Sequence, residues 1–205
     1  MSQFIIEAYF LNYLSIVTAA QTRLLEKLEH RESEASRWQD FHESIDGEAT
    51  VTVVFSAIVL ESYMLNYAAR KLGVDVAEKK IDRMPLVKKW IEVPRLATGT
   101  AIAPDGEAIT LLKSLVSARH AVVHLRSPNT TFAALREGKW DRGYRRKEIL
   151  QAALDAVYCI SSLGKELAAI DSAEKFAKLF AKFAELPRYR ISTRTDDPSE
   201  EPGEA

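Results

Sequence analysis

The stretch from residue 48 to residue 72 constrains the fold of this chain more than any other part of the sequence. It contains 25 consecutive residues without glycine or proline, and its apolar residues continue at helical spacing through Leu60 to Leu65. The valine-rich run at 51–54 has strand propensity, but the whole stretch is too long for a β-strand. Because nearly every side of this helix is apolar, we expect it to be central in the fold and to end at Gly73.

Helical periodicity dominates the rest of the chain as well. Residues 3–45 predict one long helix, or two helices with a break near 30–36, and Asp46-Gly47 predicts the end of this region. Pro94 and Ser127-Pro128 predict the ends of two later helices. The later helices are predicted over 75–93, 106–126, 146–170 and 172–186, the last of them capped by Asp171.

These elements predict an all-α fold, an up-and-down helical bundle formed by residues 1–186 as a single domain. The composition is ordinary for a soluble globular protein, with 47% hydrophobic and 28% charged residues. A net charge of −1 provides no global field for nucleic acid or an acidic membrane, so any such binding requires a local patch. The composition turns acidic after Pro187, and residues 187–205 are predicted to be a disordered acidic tail.

The chain has a single cysteine, Cys159, and one cysteine cannot build a disulfide framework. This predicts a reducing, cytoplasmic setting. Cys159 has no basic neighbour in sequence that would activate its thiol, so we do not assign it as a nucleophile. The apolar N-terminus carries Glu7 and Asn12 and lacks a positively charged leader, which argues against a signal peptide or a membrane span.

The segment Arg119-His120-Ala121-Val122-Val123-His124 places costly side chains in a helix whose apolar residues recur at three- and four-residue spacing. Arginine and histidine are seldom buried unless they are paired or functional. Glu61, in the most apolar helix, is the simplest partner for Arg119, because a bidentate ion pair would satisfy both charges. A structural salt bridge with no further role is one interpretation of this pair.

His120 and His124 are four residues apart and share one helix face, so a metal site with two imidazole ligands is an alternative. Neither an HExxH motif nor a second cluster of Cys, His or Asp accompanies them in the sequence, and we therefore predict no metal and no cofactor. A hydrogen-bonded core or surface histidine is the ordinary interpretation of either residue. Their clustering with Arg119 favours a functional site.

The Arg119-x4-His124 spacing, with polar His120 directly after the arginine, resembles the motif of HEPN domains, the helical domains of higher-eukaryote and prokaryote nucleotide-binding proteins. The stretch 55–66, which contains Glu61, resembles their earlier acidic helix, and Lys88-Lys89-Trp90 resembles the short segment that often precedes the motif helix. The resemblance covers residues 48–127, whereas the flanking helices resemble the family only in being helical. Asn is commoner than His at the position of His120.

The resemblance implies a metal-independent endoribonuclease or a diverged, non-catalytic relative. Cleavage of RNA without a metal requires a base for the 2′-OH, an acid for the 5′-oxygen and positive charge at the phosphate. Histidine exchanges protons near neutral pH, and arginine binds phosphate oxygens with a fixed fork. Family members usually dimerise with two motifs in one cleft, so two copies of His124 would supply acid and base. The implied catalytic residues are Arg119, His124, His120 and Glu61.

A basic segment that follows the motif helix also points to RNA. Residues 136–147 hold six basic and two acidic residues with two aromatic residues between them. Basic side chains attract phosphate, and aromatic side chains stack on unpaired bases. A solvated loop between helices is the equally weighted alternative. The predicted RNA-binding residues are Arg136, Lys139, Trp140, Arg142, Tyr144, Arg145, Arg146 and Lys147.

The resemblance and these residues predict a cytoplasmic HEPN-like homodimer that cleaves RNA. Analogy with the family alone suggests the toxin or effector of a prokaryotic antiviral defence or toxin–antitoxin system, with an antitoxin or defence-complex protein as partner. The alternative is a non-catalytic bundle that binds a nucleotide or RNA, or forms a dimer interface. A third interpretation is a helical interaction protein that uses its acidic tail for contact. No membrane partner is expected.

Overall fold

The computed structural model of the protein describes residues 3–29, 38–123 and 142–182, with side chains for 10–29, 45–123 and 147–182. All regular structure in these residues is helical, with no β-strand, so the predicted all-α class is confirmed. The helices are α1 (Gln3–Glu29), α2 (Trp38–Leu72), α3 (Val74–Val76), which runs into a π-helical turn (Ala77–Ile81), α4 (Leu86–Thr98), α5 (Glu107–Val123), α6 (Arg142–Ile170) and α7 (Lys175–Lys182).

The central helix is α2, which packs against α1, α4, α5 and α6 as its sequence predicts. It runs antiparallel to α1, because Phe10 near the start of α1 packs edge-on against Tyr63, whereas Arg23 near the end of α1 pairs with Glu48. The stretch Ile45–Leu72 is long and apolar enough to cross a membrane by length and composition, and 50% of the window that meets this test is buried inside the bundle. Packing in a helical core accounts for this apolarity.

Two glycines stop their helices. Gly73 follows α2 with a φ of 93°, and its N–H donates to the Ala69 carbonyl at 3.1 Å. Gly99 follows α4 with a φ of 84°, and its N–H donates to the Arg95 carbonyl at 2.9 Å. Glycine adopts this left-handed backbone conformation without the strain that a Cβ would add. The predicted end of α2 at Gly73 is therefore confirmed.

The helix end predicted at Asp46-Gly47 is wrong. These residues lie inside α2, which begins at Trp38, so the predicted division between a first helical region and the central helix does not exist. A glycine inside a helix costs roughly 1 kcal/mol relative to alanine. Ile45 and Ala49 are both buried on either side of Gly47. The apolar area that they remove from water outweighs the cost of the glycine.

The helix end predicted at Pro94 is also wrong, because Pro94 lies within α4. Proline cannot donate to the carbonyl of Trp90, so the helix loses one hydrogen bond there. Burial offsets this loss, since Val93 and Pro94 are both buried and α4 continues to Thr98. The Thr98 hydroxyl donates to the Pro94 carbonyl at 2.9 Å in the last turn.

The single helix predicted over 75–93 is wrong, because residues 82–85 are not helical and separate the π-helical turn from α4. The last two helices differ from their predicted bounds by a few residues. The α6 helix begins at Arg142, four residues before its predicted start at 146. The α7 helix begins at Lys175, because Asp171–Glu174 form a turn in which the Glu174 N–H donates to the Asp171 carbonyl at 3.0 Å. Asp171 is therefore not the cap of α7. Residues 124–141 and the predicted tail at 187–205 lie outside the described residues.

Candidate functional site

Arg119 and His120, the first two residues of the Arg119–His124 motif, lie in the last turns of α5. This helix turns Ile109 and Leu115 into the core, where both are buried. Arg119 is half-buried at the edge of this face, and His120, the next residue, is exposed. Because an arginine side chain is long, its guanidinium can extend from the edge of the core to the surface. His124, the remaining member of the motif, lies outside the described residues.

The ion pair predicted between Glu61 and Arg119 is wrong. The Nζ atom of Lys89, on α4, donates to Oε1 of Glu61, on α2, at 2.7 Å. The Lys89 side chain is fully buried (0% exposed), whereas the Glu61 side chain is 33% exposed. A buried ammonium requires a counter-charge, whereas the half-buried Arg119 can be solvated in part. Pairing Glu61 with Lys89 therefore stabilises the fold more than pairing it with Arg119 would.

A second bond fixes this junction beside the ion pair. The indole Nε1 of Trp90 donates to the carbonyl oxygen of Leu60 at 3.2 Å, and the Trp90 ring stacks on Tyr63 with centroids 5.8 Å apart. Two consecutive residues of α4 therefore bind two consecutive residues of α2. We call these four residues, Leu60, Glu61, Lys89 and Trp90, the α4 junction.

The α4 junction leaves the charge of Arg119 without the carboxylate that we expected to neutralise it. Within residues 3–29, 38–123 and 142–182, no ion pair joins Arg119 to an acidic side chain. A guanidinium whose charge is not neutralised presents five N–H donors in a fork that matches the oxygens of a phosphate or carboxylate. The end of α5 can therefore bind an anion.

The sequence contains a signal for the burial of Lys89. Leu86, Lys89, Trp90 and Val93 follow the i, i+3, i+4, i+7 spacing of one helix face, and all four are buried. A lysine at such a position must find a carboxylate on the helix that it faces. Glu61 on the central helix meets this requirement.

The predicted RNA-binding segment lies mostly outside the described residues. Arg136, Lys139 and Trp140 belong to 124–141, and residues 142–146 are described only as backbone in the first turns of α6. Lys147 is exposed on α6. No group of three or more His, Cys, Asp or Glu side chains that could hold a metal ion occurs in the part of the chain that the structure describes.

A polar cluster that the sequence did not reveal lies where α2, α6 and α7 meet. Arg70 binds Glu174 through two parallel hydrogen bonds of 2.9 and 3.1 Å, and its Nε donates to Asn66 Oδ1 at 2.7 Å. Asp171 pairs with Lys71 and accepts a hydrogen bond from the Tyr67 hydroxyl at 3.0 Å. We call these residues, Asn66, Tyr67, Arg70, Lys71, Asp171 and Glu174, the α7 junction.

Electrostatic interactions within the α7 junction favour the ionised form of Asp171. Desolvation by burial acts to raise the pKa of Asp171, but hydrogen bonds from Lys71 and Tyr67 outweigh it and lower the pKa below its ordinary value. Desolvation raises the pKa of Tyr67, and its hydrogen bond to Asp171 raises it further. The tyrosine therefore stays a hydroxyl donor to the aspartate at neutral pH, which fits a structural role.

The single thiol does not contribute to a site. Cys159 lies on the buried face of α6 and is 1% exposed. Burial raises the pKa of its thiol far above the ordinary value, and the charge of Asp155 raises it further. Only the thiolate is a good nucleophile, so Cys159 is inert in the folded protein.

Comparison with known proteins adds no assignment to these observations. No family model, no curated protein and no solved structure matches the chain.

Proposed function

We propose that this chain is a HEPN-like, metal-independent endoribonuclease that acts as a homodimer. The observation that supports this proposal most is the environment of Arg119. It lies half-buried at the end of α5, and Lys89 takes the carboxylate that would otherwise neutralise it. The structural salt bridge to Glu61, the simplest structural role for this arginine, is absent.

Each group of the motif has a role in the proposed reaction. Arg119 binds the scissile phosphate and stabilises the charge that grows on its oxygens. One His124 accepts the proton of the 2′-OH while that oxygen attacks phosphorus, and His124 of the second copy protonates the departing 5′-oxygen. The bond between phosphorus and the 5′-oxygen breaks, and the 2′- and 3′-oxygens share a cyclic phosphate. His120, exposed beside Arg119, binds a neighbouring phosphate oxygen.

The α4 junction changes the role of Glu61 in this proposal. Its carboxylate serves Lys89 and holds α4 against α2, so Glu61 does not touch RNA. The basic residues at 136–147 guide RNA toward the motif. Membership in a toxin–antitoxin or antiviral defence system, with a protein that restrains the nuclease in the cytoplasm, belongs to the same proposal.

A cleavage assay with the full chain in EDTA tests the proposal. We expect wild-type protein to cut RNA, and we expect His124→Ala and Arg119→Ala each to lose at least about 100-fold in rate. Because Arg119 does not pair with Glu61, Arg119→Ala strands no carboxylate and should lower the melting temperature only by the packing of its half-buried side chain. Arg83→Ala, at an exposed arginine in the turn before α4, is the control that should retain activity.

The same experiment identifies the alternative. A dimer that binds RNA but leaves single-stranded and structured RNA intact, after any partner protein has been removed, contradicts the nuclease proposal and favours the binding module. Light scattering that shows a monomer at micromolar concentration contradicts the two-copy mechanism. A large loss of melting temperature in Arg119→Ala would indicate a structural role for Arg119 and contradict its assignment to the reaction.

A further inference from the structure

A second basic surface, separate from the Arg119 motif, lies on α7. The apolar residues Ala177 and Phe180 of this helix are buried in the core. On its other side Lys175, Lys178 and Lys182 are all exposed. We call these three residues the α7 lysine face.

The spacing of the three lysines forms a single stripe. Steps of three and four residues keep the side chains within about 60° of each other around the helix and spread them over about 10 Å of its axis. Lys165 on α6 is also exposed, and it follows Gly164, the residue at which α6 and α7 touch. The stripe therefore has the length of a few nucleotides of an extended strand.

No carboxylate in the described part of the chain forms an ion pair with the α7 lysine face. Glu174 directly precedes it in sequence, but the Glu174 side chain is 2% exposed and binds Arg70. The neighbouring acid Asp171 pairs with Lys71. Asp171 and Glu174 thus serve the α7 junction and do not neutralise the stripe, which leaves its positive charge to solvent.

This arrangement does not serve the stability of α7. Like charges three and four residues apart repel each other on a helix. The helix dipole disfavours Lys175 in the first turn and favours Lys182 in the last turn, so it does not account for the stripe. An eight-residue helix has little stability of its own and depends on packing. A row of like charges that repel each other and have no internal partner is available to an oppositely charged ligand.

The way in which α7 is packed restricts what can bind there. Phe180 packs against Tyr63 with ring centroids 4.7 Å apart, and the Ser161 hydroxyl donates to the Ala181 carbonyl at 3.1 Å. An amphipathic helix that binds a membrane must insert its apolar face, and here that face is occupied by the core. The exposed face offers charge and the side chain of Leu179, which is 37% exposed. These features fit a hydrated polyanion with apolar parts, such as a nucleic acid strand.

We propose that the α7 lysine face binds the phosphodiester backbone of single-stranded RNA, outside the cleavage site. The choice of RNA rests on the proposed function, whereas the charge and exposure of the face do not. Lysine binds phosphate as a point charge without base recognition, so this contact adds affinity and carries no sequence preference.

Binding of a short RNA with 2′-O-methyl riboses, which cannot be cleaved, separates this proposal from the proposed chemistry. The measurement is fluorescence anisotropy with the full chain between about 50 and 200 mM KCl. The test variant is Lys175→Gln/Lys178→Gln/Lys182→Gln. The matched control, Lys80→Gln/Arg83→Gln/Lys88→Gln, removes the same charge from exposed basic residues elsewhere that form no ion pair in the described part of the chain.

We expect the slope of log affinity against log salt to fall by about 2 in the test variant, because each lysine on a single strand contributes about 0.7. The control should keep the wild-type slope, and the melting temperature of the test variant should equal or exceed that of the wild type. Equal slopes in the two variants would overturn the proposal. So would wild-type binding to vesicles that contain phosphatidylserine without binding to RNA. If the slope falls as expected but wild-type protein cuts no RNA, only the nuclease proposal fails.

Discussion

The α4 junction and the α7 junction both fasten a short helix to α2, but they bury opposite charges. At the α4 junction the cation is buried: the Lys89 side chain is 0% exposed, and that of Glu61 is 33% exposed. At the α7 junction the anion is buried: the Glu174 side chain is 2% exposed, and that of Arg70 is 22% exposed. The buried charge, whose partner is therefore the more costly to remove, is a lysine at the α4 junction and a glutamate at the α7 junction.

The two junctions also differ in the number of bonds that each buried charge receives. Lys89 has one carboxylate oxygen as its charged partner. Glu174 receives two hydrogen bonds from Arg70 and a third from the Phe176 N–H at 3.3 Å. A buried charge with a single partner depends wholly on it, whereas a charge with several partners retains some after one substitution. The comparison teaches that the cost of breaking an ion pair depends on which member is desolvated and on how many bonds that member receives.

The largest expected effect is an opposite order of substitution costs at the two junctions. Glu61→Gln leaves the Lys89 ammonium buried without a counter-charge and should lower the free energy of unfolding by about 3 kcal/mol. Lys89→Met should cost less than about 1 kcal/mol, because Glu61 can turn to water. At the α7 junction Arg70→Met should cost more than Glu174→Gln. Urea unfolding of the four variants measures the order.

The double variant Glu61→Gln/Lys89→Met is the control for this prediction. It contains no stranded charge and should recover most of the stability that Glu61→Gln loses. A double variant that is less stable than Glu61→Gln alone would show that packing, and not the stranded ammonium, sets the cost. Equal costs for both members of each pair would contradict the comparison itself.

A smaller effect is expected from two glycines that lie inside helices, one at the contact with α7 and one on the surface. At Gly164 an added Cβ would lie 2.6 Å from Phe180 Cβ and 2.8 Å from the Ala177 carbonyl oxygen. Gly164→Ala should therefore displace α7 and cost about 1–3 kcal/mol. At Gly47 no atom lies within 4 Å of the added Cβ. Gly47→Ala should stabilise the protein by about 0.5–1 kcal/mol, and thermal unfolding of both variants measures the contrast.

The smallest expected effect is the pH dependence that Asp171 gives to the α7 junction. Its pKa is lowered in the folded protein, so its ionised form stabilises the fold above the unfolded pKa of about 4. This stabilisation is lost as the pH falls through the lower folded value. Asp171→Asn should therefore be less stable than wild type at neutral pH, and the difference should shrink at low pH.

Asp75→Asn serves as the control for the pH measurement. The Asp75 and Lys79 side chains are 86% and 75% exposed, and such surface pairs contribute little to stability. Stability curves of the three proteins from neutral pH down to about pH 2 should separate only for Asp171→Asn. A pH-independent difference between that variant and wild type would show that its carboxylate acts through shape alone.

The central part of the fold was predictable because it depends on local pattern. A long apolar stretch without helix breakers must be a buried helix, and Gly73 at its end adopts the backbone that stops it. The helix ends predicted at Gly47 and Pro94 were wrong. The destabilising effect of each residue on its helix is local, whereas the burial that offsets it depends on contacts with other helices. A sequence shows that a glycine or proline destabilises a helix, but it does not show how much apolar area the neighbouring turns remove from water.

The pairing of Glu61 could not be predicted from the identity of its helix alone. We expected Arg119 as the partner and did not consider Lys89, and the packing of α4 and α5 against α2 makes Lys89 the partner. The buried-face spacing of Leu86, Lys89 and Trp90 carried the decisive signal. The positions of His124 and of residues 136–141 remain predictions, as does the endoribonuclease activity that we propose.

Because Cys159 is buried, the reactivity of its thiol reports on motions that open the interior of the protein. It is the only cysteine in the chain, and it lies on the inner side of α6 with 1% of its surface exposed. A thiol-specific dye can therefore label the native protein only during excursions that open the interior. The ratio of this labelling rate to that of the unfolded chain gives the frequency of opening under native conditions, without denaturant.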